Sequence, residues 1–477
     1  MKKILGIFVV IIAAVLLLGP LYAGMKAEKQ LQSFIATLDG YPGYHVEWST
    51  YERHWFSTDA TLALGFAMPA AADQQQAPPL TLPLSVQIKH GPLLLDTASL
   101  GWYSWQLDLT EEQNAQIAEH LQKDSDAPLY QGRGYMGLMG TVGHRDELQA
   151  FSYTDEEQGT VAHINGYTGN LTIDSARQLN YSGMVKGMDF TAQDALLVMG
   201  NLTMAVNGDL SRMDWDTLVY PSDVFMKVAS MQLQGGDQTF EMTHGILEGA
   251  VELAENNEWM TLILTMSVGN VTTPQTTVED AEMTFAYERI SLSAYKAYVD
   301  MMGAMSETGQ PNMQQFFTPE VVQDFFAKNP KFALRNFSFN MPEGDFKASF
   351  ELGMREGFVM PDPLVNPMAL LQALAVNASA QVDRPLATYF AKQSARKRAQ
   401  ESMTAESEIS EAELDATLEQ QAQATLDMLT AQGMLVEDGE GLKAVLQFLD
   451  GQLLLNGKPM PLPLGMLMGG LQPTAQP

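Results

Sequence analysis

The sequence contains no cysteine, which excludes thiol nucleophiles, disulfide frameworks and thiolate metal sites together. Positive charge is scarce: 27 Lys and Arg stand against 57 Asp and Glu, a formal net charge of −30 at pH 7. Such a chain is repelled by phosphate backbones and anionic lipid, so nucleic acid is not an expected partner. The seven histidines, His45, His54, His90, His120, His144, His163 and His244, never pair at helical spacing. A zinc hydrolase therefore has no ligands where it needs them, and no metal or cofactor is expected. After residue 23 no run of ~18 apolar residues recurs, which excludes a polytopic membrane protein. The remaining composition is that of a folded chain: 46% hydrophobic and 18% charged residues rule out wholesale disorder.

One long apolar run is present. Ile4–Ala23, ILGIFVVIIAAVLLLGPLYA, follows Lys2 and Lys3 without a charge. Twenty helical residues reach ~30 Å, the thickness of a bilayer's hydrocarbon core. A cleaved secretory signal is the competing reading, but it wants small residues at −3 and −1. Cleavage after Ala23, Gly24 or Ala27 would put Leu21, Tyr22 or Met25 at −3, so retention is preferred. The amino terminus, Lys2 and Lys3 oppose only Lys26 and Lys29, a mild positive-inside signal for a cytoplasmic N-terminus. The expectation is a single-pass membrane protein, held by residues 4–23, with its acidic bulk outside the cytoplasm.

The rest reads as mostly β, with an α+β admixture. Alternation of period two runs through Leu62–Met68, Leu82–Ile88, Leu202–Val206, Thr261–Val268, Phe337–Met341, Phe346–Leu352 and Val376–Val382. That pattern predicts extended antiparallel, amphipathic sheet covered on one face. Glycine and asparagine at Gly166, Gly169, Asn207-Gly208, Gly235-Gly236 and Asn456-Gly457 predict hairpin turns. Helices are expected at Met25–Leu38, Thr110–Lys123, Ser291–Ser306, Pro319–Lys328 and Pro385–Ser402. Another opens at Ser410 and runs to Gln432, with Gly433 as its stop. Pro69–Pro79 reads as a low-complexity loop and Met403–Ile409 as a polar hinge. The domain reading is an anchor over 1–23, a β-rich region over 24–280 and a mixed region over 281–477.

Several strings invite chemistry. Gly132-x-Gly134-x-x-Gly137 matches a dinucleotide fingerprint, but that chemistry needs a strand before it and a helix after. The residues that follow, Leu138 to Gly143, are too glycine-rich to start one, so a turn or bulge cluster is expected. Ser293-x-x-Lys296 matches an acyl-enzyme string without its Lys-Thr-Gly or Ser-Asp-Asn partners. His144-Arg145-Asp146-Glu147 reads as a charged turn, and His90-Gly91-Pro92 as a tight exit turn. Met301, Met302 and Met305 lie at helical spacing, as core filling or a greasy partner face. One segment remains as a binding candidate: Tyr51, Arg53, Trp55 and Phe56 place three rings and a cation within six positions. The same rings suit a cap on a sheet core. No catalytic constellation assembles.

An N-terminal anchor, then Tyr51-x-Arg53-x-Trp55-Phe56-Ser57, then Ile88-x-His90-Gly91-Pro92, then Asp450-Gly451-x-Leu453-x-Leu455-Asn456-Gly457-Lys458-Pro459 resembles the YdgA-like family of bacterial envelope proteins. That family usually has Gly where this chain has His54. The resemblance implies an inner-membrane-anchored, periplasmic, mostly β protein of Gram-negative bacteria, with no catalytic residues to carry over. The leading expectation is therefore a non-enzymatic binding or scaffolding protein of the envelope. A lipid-carrying β-trough of AsmA-like type is the alternative, and an envelope hydrolase the last. Lipid or another envelope protein is the expected partner, and the Pro385–Gln432 helices or the Met-rich helix offer faces for self-association.

Overall fold

The computed structural model describes residues 19–461 apart from 34, 37–38, 40–43, 67–79, 97–98, 124–126, 156–158, 194, 237, 309–312, 356–372, 403–410 and 450. Residues 4–18 of the expected anchor, the Pro69–Pro79 loop, the Met403–Ile409 hinge and the Ser410 cap lie outside them. Among the described residues no helix is long and apolar enough to cross a membrane. The fold is mostly antiparallel β-sheet, as the alternation requires. It divides into two units: residues 1–258 with 292–321, and residues 259–291 with 322–477.

The first unit opens with a helix over residues 19–33, α1. Six strands and a short helix follow: β1 (Tyr44–Arg53), β2 (Ser57–Phe66), β3 (Leu80–His90), β4 (Leu93–Leu94), β5 (Ser99–Leu109), α2 (Glu111–His120) and β6 (Leu121–Lys123). Next come β7 (Tyr130–Gly137), β8 (Val142–Leu148), β9 (Phe151–Asp155), β10 (Thr160–Ile164), β11 (Tyr167–Ile173) and β12 (Gln178–Val185). The last strands are β13 (Met188–Ala192), β14 (Ala195–Met199), β15 (Leu202–Asp209), β16 (Ser222–Gly235) and β17 (Gln238–Leu253). Antiparallel pairing runs β1–β2–β3–β5–β7–β8–β11–β12–β15–β16–β17. A second ribbon, β6–β9–β10–β13–β14, joins the far half of β16 at Met231–Gly235. Helix α3 (Leu292–Thr308) belongs to this unit, and Met302 and Met305 on it are exposed.

The second unit holds β18 (Trp259–Thr272) and β19 (Thr277–Ser291). A short turn of helix, α4 (Met313–Phe316), and the first residues of α5 (Pro319–Ala327) still belong to the first unit; from residue 322 the second unit continues with β20 (Lys331–Met341), β21 (Gly344–Met354) and β22 (Leu374–Asp383). The chain closes with α6 (Arg384–Ser402), α7 (Glu411–Ala431), β23 (Val436–Asp438), β24 (Gly441–Leu449), β25 (Gln452–Leu455) and β26 (Lys458–Met460). Its sheet is β18–β19–β20–β21–β22–β24–β25–β26, with β23 sharing an edge of β24. Helices α6 and α7 lie side by side; Leu386 on α6, Leu418 on α7 and Leu442 on β24 are fully buried, and Ala387, Leu426 and Leu442 form one core cluster.

Several sequence expectations change: the helix expected over Thr110–Lys123 stops at His120, and Leu121–Lys123 pair with β9 as strand β6. Asn207-Gly208 is not a turn but the end of β15, paired to both β12 and β16. Glycine is needed there because a Cβ would sit 2.4 Å from the Tyr220 ring. Gly169 likewise lies inside β11, with the Tyr167 hydroxyl where its Cβ would be. His144–Glu147 is strand β8 rather than a charged turn. Charged residues can occupy a strand when alternate positions face water, and exposed Arg145 follows half-buried His144.

Candidate functional site

The first two family strings meet on one face of the first sheet, beneath α1. The alternation of β3 sets this up. Leu84, Val86, Ile88 and His90 are buried in turn, while Ser85, Gln87 and Lys89 between them are not. His90 is therefore in phase with the core row, and it is 5% exposed. Its Nε2 lies 2.9 Å from the hydroxyl of Thr58, itself fully buried on β2. Its Nδ1 faces the Trp55 carbonyl at 3.4 Å, and its backbone N–H donates to the Phe56 carbonyl at 2.8 Å. Burial pushes the His90 pKa below the usual imidazole value, against the pull of the Trp55 carbonyl and with the push of Arg53.

Helix α1 is fitted to that surface by its small residues. A Cβ on Gly24 would fall 2.5 Å from the His90 ring, and one on Gly19 would fall 2.9 Å from the Pro92 ring. Ala27, fully buried, joins Ala60, Val86, Ile88 and Tyr103 in one core cluster, with Trp48 and Tyr51 packed around it. Tyr103, its pKa pushed up to about 12 by burial, reaches Gln30 with its hydroxyl at 3.4 Å. Lys26 lies over the Trp102 ring at 3.9 Å, and Glu28 pairs with Arg53 at 2.5 Å. Gly91 gives the exit of β3 its close approach to β5: a Cβ there would overlap the Gly101 carbonyl.

The third string works at the other end of the chain. Asn456 and Gly457 both take positive φ, 49° and 76°, as a two-residue turn between β25 and β26 demands. The Asn456 amide accepts from the Val445 N–H at 2.8 Å and donates to the carbonyls of Gly433 at 2.9 Å and Met434 at 3.1 Å. One side chain thus ties the end of α7 to β24.

The family model for a bacterial protein of unknown function (DUF945) matches residues 1–463. The chain belongs to that family. No curated protein and no solved structure matches it. In this DUF945 chain, then, the segments around Arg53, His90 and Asn456 fasten helices to sheets.

The binding candidate Tyr51, Arg53, Trp55 and Phe56 divides between two settings. Tyr51 turns into the core and stacks edge-on against Trp48, and Arg53 is engaged by Glu28. Trp55 and Phe56 sit at the β1–β2 hairpin end and are exposed. His54 lies on the surface, 3.5 Å from Asp59.

The other strings resolve into packing. Gly132, Gly134 and Gly137 lie within β7, and the expected turn and bulge fall only at its end, in the turn at 138–140 and the register shift where Gly137 pairs with β5. They make room: a Cβ at Gly134 would strike the Trp105 ring, and one at Gly132 would meet the His144 ring and the Tyr130 hydroxyl. The Trp105 indole N–H donates to His144 Nδ1 at 3.2 Å, and burial lowers the His144 pKa. Lys296, the partner in the acyl-enzyme string, pairs instead with Asp300 one helical turn on. Among the described residues, no three His, Asp or Glu side chains gather as a metal site.

Sequence reasoning did not single out the groove beside α6 and α7. It has a volume of about 610 Å³ and is lined by Glu343, Arg384, Lys392, Glu419 and Asp427 among others. Its cations are already engaged: Arg384 by Asp427 at 2.9 Å, and Lys392 by Asp415 at 2.7 Å and Glu419 at 3.3 Å. The basic run Lys392, Arg396, Lys397 and Arg398 marks α6 in the sequence, but not that α7 brings Glu419 and Asp427 against it.

Proposed function

We propose that this DUF945 protein is a membrane-anchored periplasmic component of the bacterial envelope that acts by binding or scaffolding, as the YdgA-like resemblance implies. The observation that carries this reading is the seating of α1. The helix continues directly from the apolar segment 4–18, and Gly24, Ala27 and Glu28 lock it into the first sheet. An anchor so joined holds the body at a defined place instead of on a loose tether. A buried His90 with both ring nitrogens facing protein partners suits a structural role better than catalysis.

Fusions of the full chain to alkaline phosphatase and to a fluorescent protein at the C-terminus test the placement. Phosphatase activity with a dark fluorescent fusion is expected. The reverse pattern overturns the reading.

A second reading, carriage of lipid chains along the sheet, draws on exposed Phe190 and Leu233 of the first unit, which share a face in register with Leu197. Stoichiometric phospholipid in protein purified from mild detergent would support it, and lipid-free protein would remove it. Exposed Met302 and Met305 on α3 would serve self-association, read by the mass of the detergent-solubilised protein.

A further inference from the structure

We propose that the three hairpin ends of the first sheet beside the start of α1 form a docking face that seats in the interfacial layer of the bilayer. The inference deepens the anchored reading above and rests on it. Strands β1, β3 and β7 all run toward this end and β2, β5 and β8 run away, so the connecting residues 54–56, 91–96 and 138–141 share it. The amino end of α1 is there too. Gly19 abuts Pro92, and the Tyr22 ring lies 5.9 Å from the Trp102 ring, whose indole N–H donates to the Leu138 carbonyl at 3.1 Å. The apolar segment 4–18 therefore joins the body at these hairpin ends.

Their chemistry is that of an interface and not of a wet loop. Trp55, Phe56, Leu93, Leu95, Leu138 and Met139 are all exposed, Leu95 at 81% and Met139 at 84%. In a chain with 57 Asp and Glu, the stretches His54–Ser57, Gly91–Leu95 and Gly137–Thr141 contain none. The first carboxylate beyond them, Asp96, turns back to the sheet, where it accepts from the Ser104 hydroxyl at 2.7 Å and faces Lys89 at 3.8 Å. Apolar tips with Trp and Tyr beside them match the headgroup–acyl boundary, where aromatic rings collect. The stretches offer no Lys or Arg either. Seating is therefore apolar, and it depends on neither anionic lipid nor salt.

The absence of cysteine makes the test direct. Leu95→Cys, Met139→Cys and Glu111→Cys each give the full chain one site for a polarity-sensitive fluorophore. Glu111 serves as the control because it follows the far end of β5. In phosphatidylcholine vesicles, the labels at 95 and 139 should shift to the blue and be quenched about twofold by lipids brominated on their acyl chains, with position 111 unaffected. The result should be the same with added anionic lipid and at high salt. Chain that floats with the vesicles while all three labels stay in water overturns the docking face and leaves the anchor standing. Blue-shifted labels that brominated lipid does not quench also overturn it, since a protein then covers the face. Chain that fails to float at all overturns both readings.

Discussion

The two ends of the chain fasten a helix to a sheet by opposite means. At α1 the device is close approach: glycine and alanine let the helix axis settle on imidazole and aromatic rings, and the contact is made of buried apolar area. At the end of α7 the device is one asparagine whose amide satisfies an N–H and two carbonyls at once. The first spreads its energy over many contacts and tolerates no added volume. The second concentrates it in a few bonds and tolerates no change of polarity. Strings that look alike as weak motifs thus fail in different ways when altered.

The largest expected effect lies in the first device. Ile88→Ala removes a side chain only 1% exposed at the centre of the α1 contact, and should cost about 2–5 kcal/mol. Faster hydrogen exchange at the β2 and β3 amides would report it; unchanged exchange would show that the row is not core. Gly24→Ala should destabilise by about 1–3 kcal/mol, although alanine is the better helix former by about 1 kcal/mol, because the added methyl meets the His90 ring. Pairing it with His90→Ser should restore most of the loss. If the double variant is merely additive in thermal unfolding, the contact is not what limits the site.

The second device should break on polarity alone. Asn456→Asp keeps the shape but sets a carboxylate against the Gly433 and Met434 carbonyls, and should cost about 1–3 kcal/mol. A denaturation midpoint equal to the parent's would remove the clasp from the account.

Acid sharpens the comparison further. The folded His90 has a pKa below 6.5, so as pH falls through about 6.5 the unfolded chain takes up the proton first and stability drops. The loss levels off below the folded value. His144 adds to it with the same sign. The thermal midpoint should fall more steeply between pH 7 and 5 in the parent than in His90→Gln. The smallest effect should come from Lys392→Met on α6, since its pairing with Asp415 and Glu419 lies at the surface. Any change in its midpoint should fade in salt.

Much of the sheet was legible because period two survives in the sequence wherever one face is covered, as Leu84 to His90 illustrate. The same phase would have placed His90 in the core, had its neighbours Gly91 and Pro92 not suggested a turn. Glycines misled for a physical reason. At Gly132 and Gly134 the demand is for space beneath a ring across the sheet, and at Gly208 beneath the Tyr220 ring that precedes β16; a local reading of glycine as a turn residue has no access to those partners. Helices were found nearly to the residue where a cap or breaker marked them, as with Pro319 and Gly433. The Asn456 clasp was visible as a turn but not as a tie to Gly433, because 23 residues separate the two.

That clasp also bears on how the protein ages. An asparagine followed by glycine is the dipeptide most apt to lose ammonia, because an unhindered next amide can attack the side-chain carbonyl. In the folded chain the Asn456 carboxamide is gripped at both its oxygen and its nitrogen. Damage should therefore wait on local opening, and each event would leave behind the very charge the clasp cannot hold.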